Sequence, residues 1–175
     1  YSNEKNFHIA LSKLNRIKEN SFMFIYSRIK KYKILKVVDK ISSNSLLKSI
    51  QKKYPKNKAI LFLIANNYRD QNKCDKAIEI YDKLIKQRAD KKNLYYLKAI
   101  CLDKLNKWKD SKKILVELVS KYPNDAYILN YLSYSMAVRN EDLIKAKKLI
   151  IKALEIEKNN GFFLDTLGWI QFKLN

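Results

Sequence analysis

Small residues recur along this chain at an almost constant interval. Ile64-Ala65, Lys98-Ala99, Leu132-Ser133 and Leu167-Gly168 align, and successive small positions are 34, 34 and 35 residues apart. A second small residue follows 12 or 13 positions later, at Ala77, Ser111 and Ala146. Four residues beyond it stands a large apolar side chain, Tyr81, Leu115 or Ile150, and three further on Leu84, Leu118 or Ala153. Pro55 and Pro123 are separated by 68 residues, or two periods of 34. A fixed period of this length marks stacked supersecondary units, each too small to bury its apolar face alone.

Pairs of antiparallel helices, A and B, explain the pattern physically. A small residue on A that meets a small residue on B lets the backbones come closer than the usual interaxial distance of about 8–10 Å. The large residues then fill the holes beside that contact. Gly168 is one of only two glycines in 175 residues. A glycine inside a helix costs about 0.5–1 kcal/mol relative to alanine, so Gly168 is expected at the tightest approach. Two glycines and two prolines also argue against a sandwich or barrel and against a glycine-rich phosphate cradle. Turns are expected at Gln71–Cys74, Leu105–Trp108 and Arg139–Asp142.

The pattern resembles the tetratricopeptide repeat: a large residue, Leu-Gly, Tyr, Ala, Phe, Ala and Pro over 34 positions. The phrases LNYLSYSMA and LDTLGW are most similar to long bacterial members of that superfamily. The resemblance implies an all-α, right-handed α-solenoid of helix pairs. It places complete units at 58–91, 92–125 and 126–160, and the first helix of a further unit at 161–175. Lys98 and Lys158 depart from the family pattern, and the third unit carries one extra residue near Asn140. Residues 1–57 form degenerate repeats, a partial pair followed by a pair over 21–57. There FHIALSKLNRIKEN has helical spacing, and helices are expected over 22–38, capped by Ser21, and 43–54, capped by Ser43 or Ser45.

In this superfamily the second, fifth, ninth and twelfth positions of each A helix project onto the concave surface. Those positions here are Ala59, Phe62, Asn66 and Arg69; Asn93, Tyr96, Ile100 and Asp103; Tyr127, Asn130, Tyr134 and Ala137; then Phe162, Asp165 and Trp169. The chain has 32 lysines, yet this set avoids them. Aromatic rings with amide groups suit an extended or helical peptide. The candidate groove residues are therefore Phe62, Asn66, Arg69, Tyr96, Ile100, Tyr127, Asn130, Tyr134, Asp165 and Trp169. Packing on further repeats is the competing reading. Chaperone-binding members hold a C-terminal carboxylate with Lys and Asn, whereas the equivalent sites here carry Phe62 and Leu97, with only Asn66 fitting.

Catalytic chemistry finds no support. His8 is the only histidine and has no acid or nucleophile beside it in the pattern. Cys74 and Cys101 are isolated and read as small hydrophobic residues. No cofactor or metal is expected. The net charge of +20 admits an anionic partner, but the bases are 32 Lys against 5 Arg, and arginine is the usual reader of phosphate and base edges. Positions 1–58 hold 15 bases and 3 acids, so nucleic acid or anionic membrane ranks as the alternative to a protein or peptide partner. Phe22, Phe24, Tyr26 and Tyr32 in that segment have core spacing. No apolar run approaches the length of a membrane span. The start at Tyr1 and the halt in mid-pattern read as a piece of a longer chain, leaving bacterial cytoplasm and periplasm both open. The terminal helix, lacking its pair, offers a contact for dimerisation.

Overall fold

The computed structural model describes residues 2–87 and 91–175. Every regular element among them is an α-helix. The chain divides into two compact units, Tyr1–Ala89 and Asp90–Asn175. The first holds α1 (Ser2–Asn15), α2 (Phe24–Val38), α3 (Lys40–Lys53), α4 (Lys58–Asp70) and α5 (Cys74–Lys86). The second holds α6 (Lys91–Lys104), α7 (Trp108–Lys121), α8 (Ala126–Val138), α9 (Leu143–Ile156) and α10 (Gly161–Leu174). Within the units, α2 packs on α3, α4 on α5, α6 on α7, α8 on α9, and α9 on α10.

Three of the turns share one geometry. Asn72, Asn106 and Asn140 adopt φ of 58°, 59° and 53° at the ends of α4, α6 and α8. The amide after each reaches back five residues: Lys73 to Tyr68, Lys107 to Leu102 and Glu141 to Met136, at 2.9, 2.9 and 3.0 Å. This is the Schellman closure, with asparagine in the left-handed position more often given to glycine. A chain with two glycines thus turns its helices with asparagine. The turn after α8 has one further residue, Asp142, also left-handed at φ 43°, and its carboxylate caps α9 by accepting the Lys145 amide.

The helices α4, α8 and α10 start under asparagine or aspartate caps. Asn57 accepts from Ala59 and Ile60, Asp125 from Ile128, and Asn160 from Phe162. Two expected caps are corrected. Asp39, not Ser43 or Ser45, caps α3 through the Ser42 amide, because a carboxylate four residues earlier than the expected start competes successfully for the free N–H groups. Ser43 is instead buried inside the helix, donating to the Lys40 carbonyl. Ser21 is no N-cap of α2; Met23 takes that position without a side-chain bond. The first helix begins and ends earlier than its spacing suggested, at Asn15 rather than Asn20. Arg28 donates to the carbonyls of Leu14 and Ile17, satisfying acceptors that the shortened helix leaves open.

The small residues of the repeat meet inside the hairpins. Ala65, Ala77, Ala99, Ser111, Ser133 and Ala146 are all fully buried. The Ser111 hydroxyl on α7 donates to the Ala99 carbonyl on α6 at 2.8 Å, and Ser133 on α8 donates to Ala146 on α9 at 2.7 Å. Only helices in close approach let so short a side chain reach a neighbour's backbone. Tyr81, Leu84, Leu115 and Ile150 fill the space alongside and are buried as well.

Gly168 breaks the series. It is exposed, and a methyl group added there would meet no atom within 4 Å. The expectation of a tight contact fails for a simple reason. The helices carrying Ala99 and Ser133 are followed by α7 and α9, which close on them, whereas among the described residues no helix follows α10 and none closes on Gly168. The expected core role of Phe22 and Tyr26 fails too, since both are exposed; Tyr32 is buried and Phe24 is partly covered, 6.2 Å from the Tyr54 ring.

Candidate functional site

Helix α8 has no charged residue along AYILNYLSYSMAV. The reason is burial: Ala126, Ile128, Leu129, Leu132, Ser133, Ser135, Met136 and Ala137 are all enclosed, since neighbours cover most of its circumference. One narrow stripe stays open, formed by Tyr127, Tyr134 and Val138, which are 54%, 48% and 45% exposed. Asn130 lies between the two tyrosines at three- and four-residue spacing, so the three share a face. Its side-chain oxygen is sheltered from solvent and accepts no hydrogen bond. A buried acceptor left unmatched costs free energy, so such atoms usually have a partner.

Rings continue this surface on the neighbouring helices of the second unit. Tyr96 on α6 is partly buried, edge-to-face with Tyr131 at 5.8 Å. Ile100 is also partly buried. The Tyr127 ring stands edge-on to Phe163 of α10 at 5.5 Å. Trp169 is exposed and stacks on Phe172 at 5.7 Å, with the Lys173 ammonium 4.9 Å from the Trp169 ring centre. Asp165 is exposed.

Two sequence-expected positions behave differently. Ala137 is fully buried and is not part of any open face. Asp103 is engaged from three sides: it accepts the Tyr131 hydroxyl at 3.0 Å and the Ser135 hydroxyl at 3.1 Å, and it pairs with Arg139. Burial first, then the Asp103 charge, pushes the Tyr131 phenol far above the ordinary tyrosine range, so it serves as a donor and not as an acid. The Arg139 guanidinium lies 4.5 Å from the Trp108 ring centre. The Trp108 indole N–H donates to Glu141 at 2.6 Å, and Lys112 pairs with the same carboxylate. Hydrogen bonds from Lys112 and Trp108 hold the Glu141 carboxyl below its usual range. This network locks one end of α6, α7 and α8 together.

In the first unit Phe62 is exposed. Asn66 accepts the hydroxyl of buried Tyr81 at 3.0 Å, and Arg69 pairs with Asp70 at 3.0 Å. Both polar side chains thus have work inside the unit. Among the described residues, no three His, Cys, Asp or Glu side chains gather as a metal site would require. No helix among the described residues is long and apolar enough to cross a membrane.

A tetratricopeptide repeat family model matches residues 68–132. A TPR repeat-containing protein of Pseudomonas aeruginosa is 29% identical over 114 residues, covering 65% of this chain and 19% of that protein. The chain therefore spans about a fifth of the curated relative's length. The chain is similar to bacterial tetratricopeptide repeat proteins, and its residues 68–132 carry the match to that family. Solved structures share its all-helical solenoid fold. MamA from Desulfovibrio magneticus RS-1 superposes with a TM-score of 0.64 at 19% identity, over 83% of this chain and 85% of MamA. A tetratricopeptide repeat protein from Parabacteroides merdae gives 0.64 at 17%, over 83% and 58%. The first TPR domain of Spaghetti (RPAP3), bound to the HSP90 peptide SRMEEVD, gives 0.59 at 24%, over 67% and 92%. The tetratricopeptide fold is typical of protein-interaction scaffolds.

The left-handed turns carry a readable signal of their own beside the pattern of small residues. Asn72, Asn106 and Asn140 are spaced by 34 and 34, an asparagine period that marks the left-handed turns directly. The Asp103 network had none, since Tyr131, Ser135 and Arg139 lie 28, 32 and 36 residues further along.

Proposed function

We propose that this chain is a non-catalytic scaffold that takes a peptide or a partner's helix on the open faces of its A helices, with the stripe on α8 as the principal contact in the second unit. The observation that carries this reading is the pairing of Tyr127 and Tyr134 around Asn130. Two features combine there: two half-exposed rings and an acceptor without a donor. A peptide N–H would satisfy Asn130 while the rings cover its flanking side chains, which is how amphipathic surfaces recognise extended chains. Large exposed apolar groups in one stripe mark interaction surfaces more often than they mark solvated ones.

Trp169 and Tyr96 extend this reading to α10 and α6. In the first unit, taken by itself, Phe62 is the exposed apolar side chain of α4, while Asn66 and Arg69 are engaged by Tyr81 and Asp70. The solved tetratricopeptide domain with an HSP90 peptide supports the general mode of binding. Without the lysine and asparagine set for a terminal carboxylate, the ligand here is held by its side chains and backbone amides rather than by its end.

Selection of peptides from a random display library on the chain, followed by titration against Tyr127→Ala/Tyr134→Ala, tests this. We expect at least a tenfold loss of affinity, since each buried aromatic anchor contributes on the order of 1–2 kcal/mol, at an unchanged melting temperature. Selected peptides that bind the variant as well as the parent would refute the site.

A further inference from the structure

A second surface, in the first unit, joins exposed apolar side chains to unbalanced positive charge. We propose that the outer face of α2, extended by Phe22 before it and Ile41 after it, docks on an anionic lipid bilayer. Phe22, Tyr26, Val37 and Ile41 are 92%, 51%, 76% and 85% exposed. Within α2, Tyr26, Lys30, Lys33 and Val37 follow one another at intervals of 4, 3 and 4, the spacing of a single helical face, and Phe22 and Ile41 stand exposed just beyond its two ends. Helix α2 is apolar on its other side too, where Tyr32 and Leu35 are buried. Burial in the unit therefore does not account for the outer residues.

Charge identifies the occupant. Positions 1–58 carry 15 bases and 3 acids. Of the described acids, Glu19 is held by Lys53 at 2.5 Å and by the Tyr54 hydroxyl, and Asp39 caps α3; neither offsets the stripe. Lys31 and Lys36 turn aside to Asn15 and Asp70. Lys30 and Lys33 are exposed within the stripe itself, Lys30 lying 5.3 Å from the Tyr26 ring centre. Apolar side chains interleaved with lysines suit the headgroup boundary of a bilayer, where rings and aliphatic groups enter the acyl region while ammonium groups remain among lipid phosphates. Nucleic acid gains little from Val37 or Ile41, because its outer surface is phosphate and sugar. A surface-lying helix also agrees with the lack of any spanning helix among the described residues.

Sedimentation with vesicles tests the proposal, using phosphatidylcholine alone and phosphatidylcholine mixed with phosphatidylglycerol. The chain should partition to the mixed vesicles and only weakly to the neutral ones. Phe22→Ser/Val37→Ser, which leaves charge unchanged, should lower partitioning about tenfold, and Lys30→Glu/Lys33→Glu should do the same. All four sites are exposed, so helical content and melting temperature should hold, which separates lost docking from lost fold. No sedimentation of the parent with mixed vesicles at low salt would overturn the proposal. So would an apolar variant that binds mixed vesicles and duplex DNA as strongly as the parent does, since that would make the segment a general binder of polyanions.

Discussion

Ser133 on α8 donates its hydroxyl to the backbone carbonyl of Ala146 on α9 at 2.7 Å, and both residues are fully buried. One hairpin earlier the same contact runs in the opposite sense, Ser111 on α7 donating back to the Ala99 carbonyl on α6 at 2.8 Å. Close approach of two helices is thus recorded by a side chain of one methylene reaching the partner helix's main chain. Ser133→Ala should remove the bond and lower stability by about 1 kcal/mol. Ser133→Leu should lower it by about 1–3 kcal/mol, because the added volume forces the helices apart. Urea titration of both variants checks the order; a leucine variant as stable as the alanine variant would mean that the contact is loose.

Gly168 should respond in the opposite sense. Its surroundings are open and it sits within α10, so Gly168→Ala should raise stability by about 0.5–1 kcal/mol through helix propensity and reduced chain entropy. Ala99→Leu, the same position two periods earlier, should destabilise. A thermal melt in which Gly168→Ala lowers the midpoint would indicate a packing partner for that glycine.

Asn106 is left-handed at φ 59°, a conformation in which an ordinary side chain is strained. Asn106→Ala should therefore cost about 1 kcal/mol, while Asn106→Gly should be close to neutral. Comparison of the two by chemical denaturation separates backbone strain from any loss of the amide side chain, which both substitutions remove equally.

Glu141 links the network to pH. Its folded pKa is depressed by hydrogen bonds from Lys112 and Trp108. Its contribution is accordingly present above the unfolded glutamate pKa of about 4.3 and is lost as pH falls through the lower folded value. The stability gap between the parent and Glu141→Gln should be largest at neutral pH and close in acid. Denaturation midpoints measured along a pH series check this; a gap that widens in acid would contradict the assignment.

The hairpins were legible because a small residue at a 34-residue interval has one economical explanation, backbone contact. Ala65, Ala99 and Ser133 meet that condition, but Gly168 does not, since a position's sequence says nothing about whether its covering helix is at hand. The stripe on α8 was legible from Tyr127, Asn130 and Tyr134, yet Ala137 was misplaced: α8 is so enclosed that the twelfth position turns into the core. Asp103 looked open by register, but its partners lie too far along the chain for local spacing to reveal. Phe22 and Tyr26 had core periodicity, and periodicity alone does not tell which side of a doubly apolar helix will be buried.

The most direct test of the scaffold reading is photocrosslinking in cells, with p-benzoylphenylalanine placed at Tyr134 or, for comparison, at exposed Glu117 on α7. Position 134 should give a discrete protein or peptide adduct and position 117 none. Adducts of equal yield from both positions, or from 117 alone, would contradict it.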